Sequence, residues 1–203
     1  MGLKNKNSMT NIKYIEIIIH QIPKYIQKIK IRNNEIVIKL KNPLYLNNVL
    51  YFLKNNSNML YKSLIDITCV DNINKNKRFE LSYNLISFKY NSRIRIIINV
   101  TVFDKVKTVT QIFASSCWLE REIWDLFGIY FEEHPDLRRI LTDYGFEGYP
   151  LRKDFPLTGF LELRYNDEEK CVVYESLETS QGFRLFSFLS PWNQVNNLKN
   201  FIK

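Results

Sequence analysis

The sequence predicts an α+β fold: a mixed or antiparallel sheet with helices on one face, then a long extended C-terminal arm with a short hairpin. Three observations predict it. Apolar residues recur at helical spacing in some stretches and alternate in others. Short polar turns join the alternating runs. Beyond residue 133 both periodicities fade, and turn formers gather at Pro135, Gly145, Gly148, Pro150, Pro156, Gly159, Gly182 and Pro191. The expected organisation is an α+β domain over 1–133 and an extended arm over 134–203 that wraps a partner.

Residues 9–22 read as a first helix, with Ile12, Ile15, Ile19 and Ile22 at helical spacing and Thr10 or Asn11 as N-cap. Pro23 ends it, because proline disfavours helical geometry in the residue before it. Residues 25–31 and 35–40 alternate around the turn "RNNE" and read as a hairpin, with Tyr25, Gln27, Ile29 and Ile31 on one face. Pro43 opens a second helix to about 55, striped by Leu46, Val49, Leu50 and Leu53. Strands follow at about 60–71, 78–90 and 93–103. The last, "RIRIIINVTVF", is β-branched and suits an interior position. A third helix is expected over 109–127, stopped by Gly128. In the arm, "LELRYN" and "CVVYES" flank the turn "DEEK" as a hairpin.

Composition narrows the function classes. The chain has 203 residues and a formal net charge of +8, enough for one domain with an arm and a general preference for acidic partners. Ile, Asn, Lys, Tyr and Phe crowd the first half. Their codons are A/T-rich, so an organellar genome would raise the lysine count without selection for nucleic-acid binding. The basic residues are scattered and no aromatic stacking motif accompanies them, which disfavours the competing reading of an RNA- or ribosome-associated module. No apolar run is long enough to span a bilayer, and the N-terminus lacks secretory and import features. Cys69, Cys117 and Cys171 are too widely spaced for a cluster or zinc site and fit a reducing compartment.

The densest chemistry is "EREIWDLFGIYFEEHPDLRRIL", residues 120–141. Glu120, Glu122, Asp125 and His134 could form an acid–base or metal site. Alternatively the charges are ion pairs that fix the helix to its neighbours. Arg121 and Asp125 are i,i+4 partners on a helix, and Glu122 falls at the edge of the apolar line Leu119–Ile123–Leu126, where a carboxylate needs a cation. Arg138, Arg139, Arg152 and Lys153 supply cations. There is no phosphate loop, nucleophile elbow or usefully spaced Cys/His pair, so ion pairing is the expected role and no catalytic, cofactor or metal residue is assigned. An arm rich in aromatics but without a periodic pattern leaves apolar surface for a partner to cover, at roughly 25 cal/mol per Å² buried.

The longer stretch "EREIWDLFGIYFEEHPDLRRILTDYGFEGYPLRKDFPLTGF", residues 120–160, resembles the signature of the 30-kDa subunit family of respiratory complex I. The matching positions are Glu120, Arg121, Glu122, Asp125, His134, Arg138 and Ile140, followed by "GYPLRKDFPLTG". "CWLERE", "RYNDEEKCVVYE" and "SPW" also fit, so the likeness is strong over 117–192 and looser before. The resemblance implies a scaffold subunit in the matrix-facing peripheral arm of proton-pumping NADH:ubiquinone oxidoreductase, at the mitochondrial inner membrane. It implies support of the 49-kDa subunit, near the cluster-bearing quinone-site subunit. It implies that FMN, iron–sulfur clusters and ubiquinone are held by other subunits. Nucleic acid and a direct membrane span are not expected. Carried over residue by residue, Glu120, Arg121, Glu122, Asp125 and His134, with Arg138, Arg139, Arg152, Lys153, Asp154 and Phe155, are expected to fix the helix–arm junction and seat it on the partner. Codon bias and the missing import signal fit mitochondrial encoding.

Overall fold

A computed structural model describes residues 13–33, 35–179, 181–182 and 184–186. The chain divides into two compact units, the first ending at Leu157 and the second beginning at Thr158. The first is an α+β unit. Helix α1 occupies residues 13–21, and the expected start at 9 and its caps Thr10 and Asn11 lie outside the described residues. Strands β1 (Ile26–Arg32) and β2 (Glu35–Leu40) form the expected hairpin. A single helical turn from Pro43 leads into α2 (Leu46–Asn55), with the Asn42 side chain accepting the Leu44 N–H at 3.1 Å. Strands β3 (Ser63–Asp71), β4 (Phe79–Ser87) and β5 (Ser92–Val100) complete a five-stranded sheet of order β1-β2-β5-β4-β3. All neighbouring pairs are antiparallel except β2–β5, which is parallel. The sheet is therefore mixed, with β5 interior as its β-branched sequence suggested.

Alternation sets the core. Ile36, Ile38 and Leu40, the odd residues Phe79 to Leu85, and the even residues Ile94 to Val100 are buried on one face. Ile18 and Ile22 at the end of α1, the α2 stripe Leu46, Val49, Leu50 and Leu53, and Ile123 and Phe127 further along join the same cluster. The first hairpin departs from strict alternation. Ile26 faces Leu40 and Lys28 faces Lys39, so β1 holds one extra residue there. That bulge inverts the parity of β1. Tyr25, Ile26 and Ile29 pack on the core, whereas Gln27 and Ile31 are exposed.

The third helix is shorter than expected. α3 spans Ser116–Phe127, not 109–127, and ends at Gly128 in the left-handed region at φ 72°. The preceding residues have other bonds. The Asn47 side chain donates to the Thr108 carbonyl, and the amides of Ile112 and Phe113 both turn back onto the Val109 carbonyl. Two short strands escaped the sequence: β6 (Val106–Lys107) pairs in parallel with β7 (Phe131–Glu132), just after α3. Two residues carry no readable period.

The expected boundary at 133/134 is displaced to 157/158. Residues 134–157 do not extend away; they fold against α3 and β3 through bonds described below. In the second unit, β8 (Leu161–Asn166) and β9 (Cys171–Ser176) form the expected antiparallel hairpin. Arg164 and Glu175 pair across it. No helix among the described residues is long and apolar enough to cross a membrane.

Candidate functional site

The charged stretch becomes a junction in which α3 is gripped by the chain that follows it. Asp125 lies at its centre with no exposed side-chain surface. Its Oδ2 accepts the backbone N–H groups of Ile140, Leu141 and Thr142 at 3.1, 2.7 and 2.9 Å. Its Oδ1 accepts the Thr142 hydroxyl at 2.6 Å and the Arg139 guanidinium at 3.0 Å. Burial alone would raise its pKa. The Thr142 hydroxyl and the three amides overcome that and hold the carboxyl at about 2. Arg139 also donates to the Gly148 carbonyl at 2.9 Å and lies 5.1 Å from the Tyr149 ring. One carboxylate thus organises residues 139–149 around the helix.

Glu120 sits one and a half turns earlier and is also fully buried. It accepts the Val109 N–H at 2.8 Å and stands 2.5 Å from the Thr108 hydroxyl. Thr108 and Thr110 share a further hydroxyl contact at 3.1 Å. Burial pushes the Glu120 carboxyl up to about 7, against the pull of the hydrogen bonds from Thr108, Val109 and Ser116. His134 Nε2 lies 3.8 Å from Glu120 and 3.2 Å from the Cys117 carbonyl. Its Nδ1 accepts the Asp136 N–H at 3.1 Å. In the neutral ring the proton therefore belongs on Nε2, directed at Cys117. The histidine closes the chain over the first turns of α3.

Other expected pairings are corrected. Arg121 does not pair with Asp125; it donates to the Arg138 carbonyl at 3.3 Å and stacks 4.8 Å from Trp118. Glu122 is exposed, and Glu120 is the carboxylate that burial constrains. The reason is geometric: the face of α3 toward the sheet runs through Ser116, Glu120, Ile123 and Phe127, and residues 138–142 cover the side bearing Arg121 and Asp125. The Arg138 side chain forms an exposed pair with Asp136. Glu120, Glu122, Asp125 and His134 do not converge, and among the described residues no group of three or more metal-ligating side chains comes together.

The second anchor is "RKDF". Arg152 donates through Nε to the Phe127 carbonyl at 2.7 Å, at the C-terminal end of α3, where a cation meets the negative end of the helix dipole. Its guanidinium is sandwiched by Tyr149 at 4.4 Å and Phe79 at 5.5 Å. Gly128 allows this approach: a Cβ there would stand 2.5 Å from Tyr149 and 2.6 Å from Arg152. Lys153 contributes its backbone as well as its charge, donating its N–H to Asp71 at 2.9 Å. Asp154 binds Arg78, which is also doubly bonded to Asp71, at 2.7 Å through each nitrogen. These bonds from Arg78 hold both carboxyls below the usual range and raise the Arg78 guanidinium. Phe155 packs on Phe146 with ring centroids 5.9 Å apart and fills the space beside Gly148.

The sequence reading missed Arg78, Asp71, Thr108 and Thr142. Arg78 sits in "NKNKRFE", where nothing marks it among the neighbouring lysines. Thr142, which gives both its amide and its hydroxyl to Asp125, lies 17 residues from it, too far for a local signal.

In fold, the chain resembles a component of the membrane-bound sulfane sulfur reductase, an archaeal respiratory membrane complex, with TM-score 0.62 and 24% identity over 72% of this chain and 86% of that one. That likeness is one of fold. The family described as "Respiratory-chain NADH dehydrogenase, 30 Kd subunit" matches residues 41–161, and the chain belongs to that family. It is 53% identical to NADH-ubiquinone oxidoreductase subunit 9 of Reclinomonas americana, over 92% of this chain and 91% of that protein. It is 47% identical to the protein of the same name in Acanthamoeba castellanii, over 96% and 100%. NADH dehydrogenase [ubiquinone] iron-sulfur protein 3 of Marchantia polymorpha is 50% identical over 93% and 96%.

Proposed function

We propose that this chain is a scaffold subunit of the peripheral, matrix-facing arm of proton-pumping NADH:ubiquinone oxidoreductase. It supports the 49-kDa subunit near the quinone-reducing module and binds no flavin, cluster or quinone itself. Electron transfer and coupling belong to the assembled complex. The proposed location is the matrix side of the mitochondrial inner membrane, with the gene in the mitochondrial genome.

The observation that carries this reading is the β8–β9 hairpin. Leu161, Leu163, Tyr165, Val172 and Tyr174 are each more than half exposed, on both strands. A two-stranded hairpin with exposed apolar side chains is marginal alone in water. Against a partner, the same side chains become a contact surface. The site residues fit the role: Asp125, Arg139 and Arg152 spend their bonding capacity as structural ties within the first unit rather than on a reactive centre.

Native electrophoresis of solubilised mitochondrial membranes tests the proposal, with the chain detected by mass spectrometry and the gel stained for NADH dehydrogenase activity. Co-migration with a very large active band is expected. Migration as a small species, or with ribosomal particles, overturns it.

A further inference from the structure

The sheet has a second face, away from the helices, and its charge is unevenly distributed. At one end, Arg95 lies 3.5 Å from Glu35 and donates to Asn84 at 2.9 Å, while Arg93 lies 3.8 Å from Glu35. Cation there has anion beside it. At the other end, the last residues of β2, the β3–β4 turn and β5 enclose an open groove of about 230 Å³. Gln27, Lys39, Lys41, Lys75, Lys77 and Asn99 line it.

Two features of this groove stand out against the rest of the surface. First, most of its positive charge is not neutralised among the described residues. Lys75 approaches Glu80 at 3.9 Å. Among the described residues, Lys39, Lys41 and Lys77 have no ion-pair partner. The β1–β2 register places Lys28 directly opposite Lys39, a cross-strand pair of like charges. Such pairs destabilise a sheet. Codon bias raises the number of lysines but does not gather them about one groove. Second, Asn99 Oδ1 is buried without a hydrogen-bond partner. An unpaired buried acceptor is costly, and a turn of the Asn99 side chain into the groove would let a donor from outside relieve it.

We propose that this groove is an interaction surface for an acidic polypeptide segment of a neighbouring protein, its Asp or Glu side chains meeting the lysines and a backbone N–H meeting Asn99 Oδ1. The chemistry favours a peptide over a phosphate ligand. Lysines are point charges; the groove has no arginine fork and no helix N-terminus, the features that cradle clustered phosphate oxygens. The groove lies on the sheet in the first unit, so this contact is additional to the one proposed for the hairpin and does not depend on it.

The test is zero-length carbodiimide cross-linking of the native assembly that contains the full chain, with peptides mapped by mass spectrometry. Isopeptide bonds from Lys39, Lys41, Lys75 or Lys77 to acidic residues of another polypeptide are expected. In the Lys39→Glu, Lys77→Glu double variant, the yield at Lys41 and Lys75 should fall about tenfold or more. Lys62→Glu, at the other end of the sheet, should leave it unchanged. A link only from Lys75 to Glu80 of this chain overturns the proposal, as does acetylation of all four lysines as readily as Lys62. Protection from acetylation that disappears on phospholipase treatment, without cross-links, assigns the groove to lipid phosphate and also overturns it. The identity of a cross-linked partner reads the complex assignment separately: a partner from another assembly refutes that assignment and leaves the groove standing.

Discussion

Asp125 and Arg139 meet at 3.0 Å, and the same carboxylate caps the three amides that follow the arginine. This single side chain fixes the direction in which the polypeptide leaves α3 and returns across it. Removing it would strand an arginine and three backbone donors in a protected site. Asp125→Ala should therefore destabilise the first unit by about 3–5 kcal/mol. Chemical denaturation of the full chain, followed by tryptophan fluorescence, measures the change.

The same group predicts an acid-side pH dependence. Its folded pKa of about 2 lies below the ordinary 3.8. The stability it contributes is present above the ordinary value and is lost as pH falls from there toward about 2, by about 2 kcal/mol. The difference between the wild-type denaturation midpoint and that of Asp125→Asn should shrink across that window. A constant difference would mean that Asp125 is not the titrating group.

Glu120 predicts the opposite slope. Its folded pKa of about 7 lies above the ordinary 4.5, so the folded chain keeps a proton that the unfolded chain has released. Its favourable contribution is complete below the ordinary value and is lost as pH rises through the folded one, a change on the order of 3 kcal/mol. Glu120→Gln holds the position neutral and should remove this part of the pH dependence. Denaturation midpoints of both proteins on either side of neutrality test it.

Gly128→Ala should be among the most disruptive small substitutions. The backbone is left-handed at φ 72°, and the added methyl would meet the Tyr149 ring and the Arg152 guanidinium at 2.5–2.6 Å. Conformational strain costs about 1 kcal/mol, and the clash adds to it by displacing Arg152 from the α3 terminus. Gly145→Ala shares the positive φ but meets nothing within 4 Å. It should cost less, and the two denaturation midpoints give the comparison.

Arg121 and Arg152 should matter for assembly. Arg152→Lys keeps the charge but loses the planar donor aimed at Phe127 and the stacking on Tyr149. The amount of assembled complex should drop, by native gel, while NADH oxidation per assembled complex stays near wild type. Arg121→Ala should behave alike. Full complex levels with lost turnover would contradict the scaffold role.

The local elements were legible in the amino-acid pattern. Residues that bond mainly to their neighbours announced themselves: the α2 stripe from Leu46 to Leu53, the β4–β5 meander, the Gly128 stop and the β8–β9 hairpin. The pattern also marked Asp125, Arg139 and Arg152 as residues of consequence. What each one binds was settled by packing in three dimensions. A helical wheel shows which residues share a side of α3, but not which sides are covered. Residues 138–142 return over the Asp125 side, so Arg121 lost its expected partner, Glu122 stayed in water, and Glu120 was buried instead. Arg78 joined Asp71 to Asp154, which lies 76 positions from the arginine in sequence, and the bulge in β1 inverted a face that strict alternation had assigned. Such bonds depend on chain reversals and long loop closures, which leave no period in the sequence. The local pattern reflects contacts a few residues apart; the junction is held by contacts that exist only once the sheet has formed.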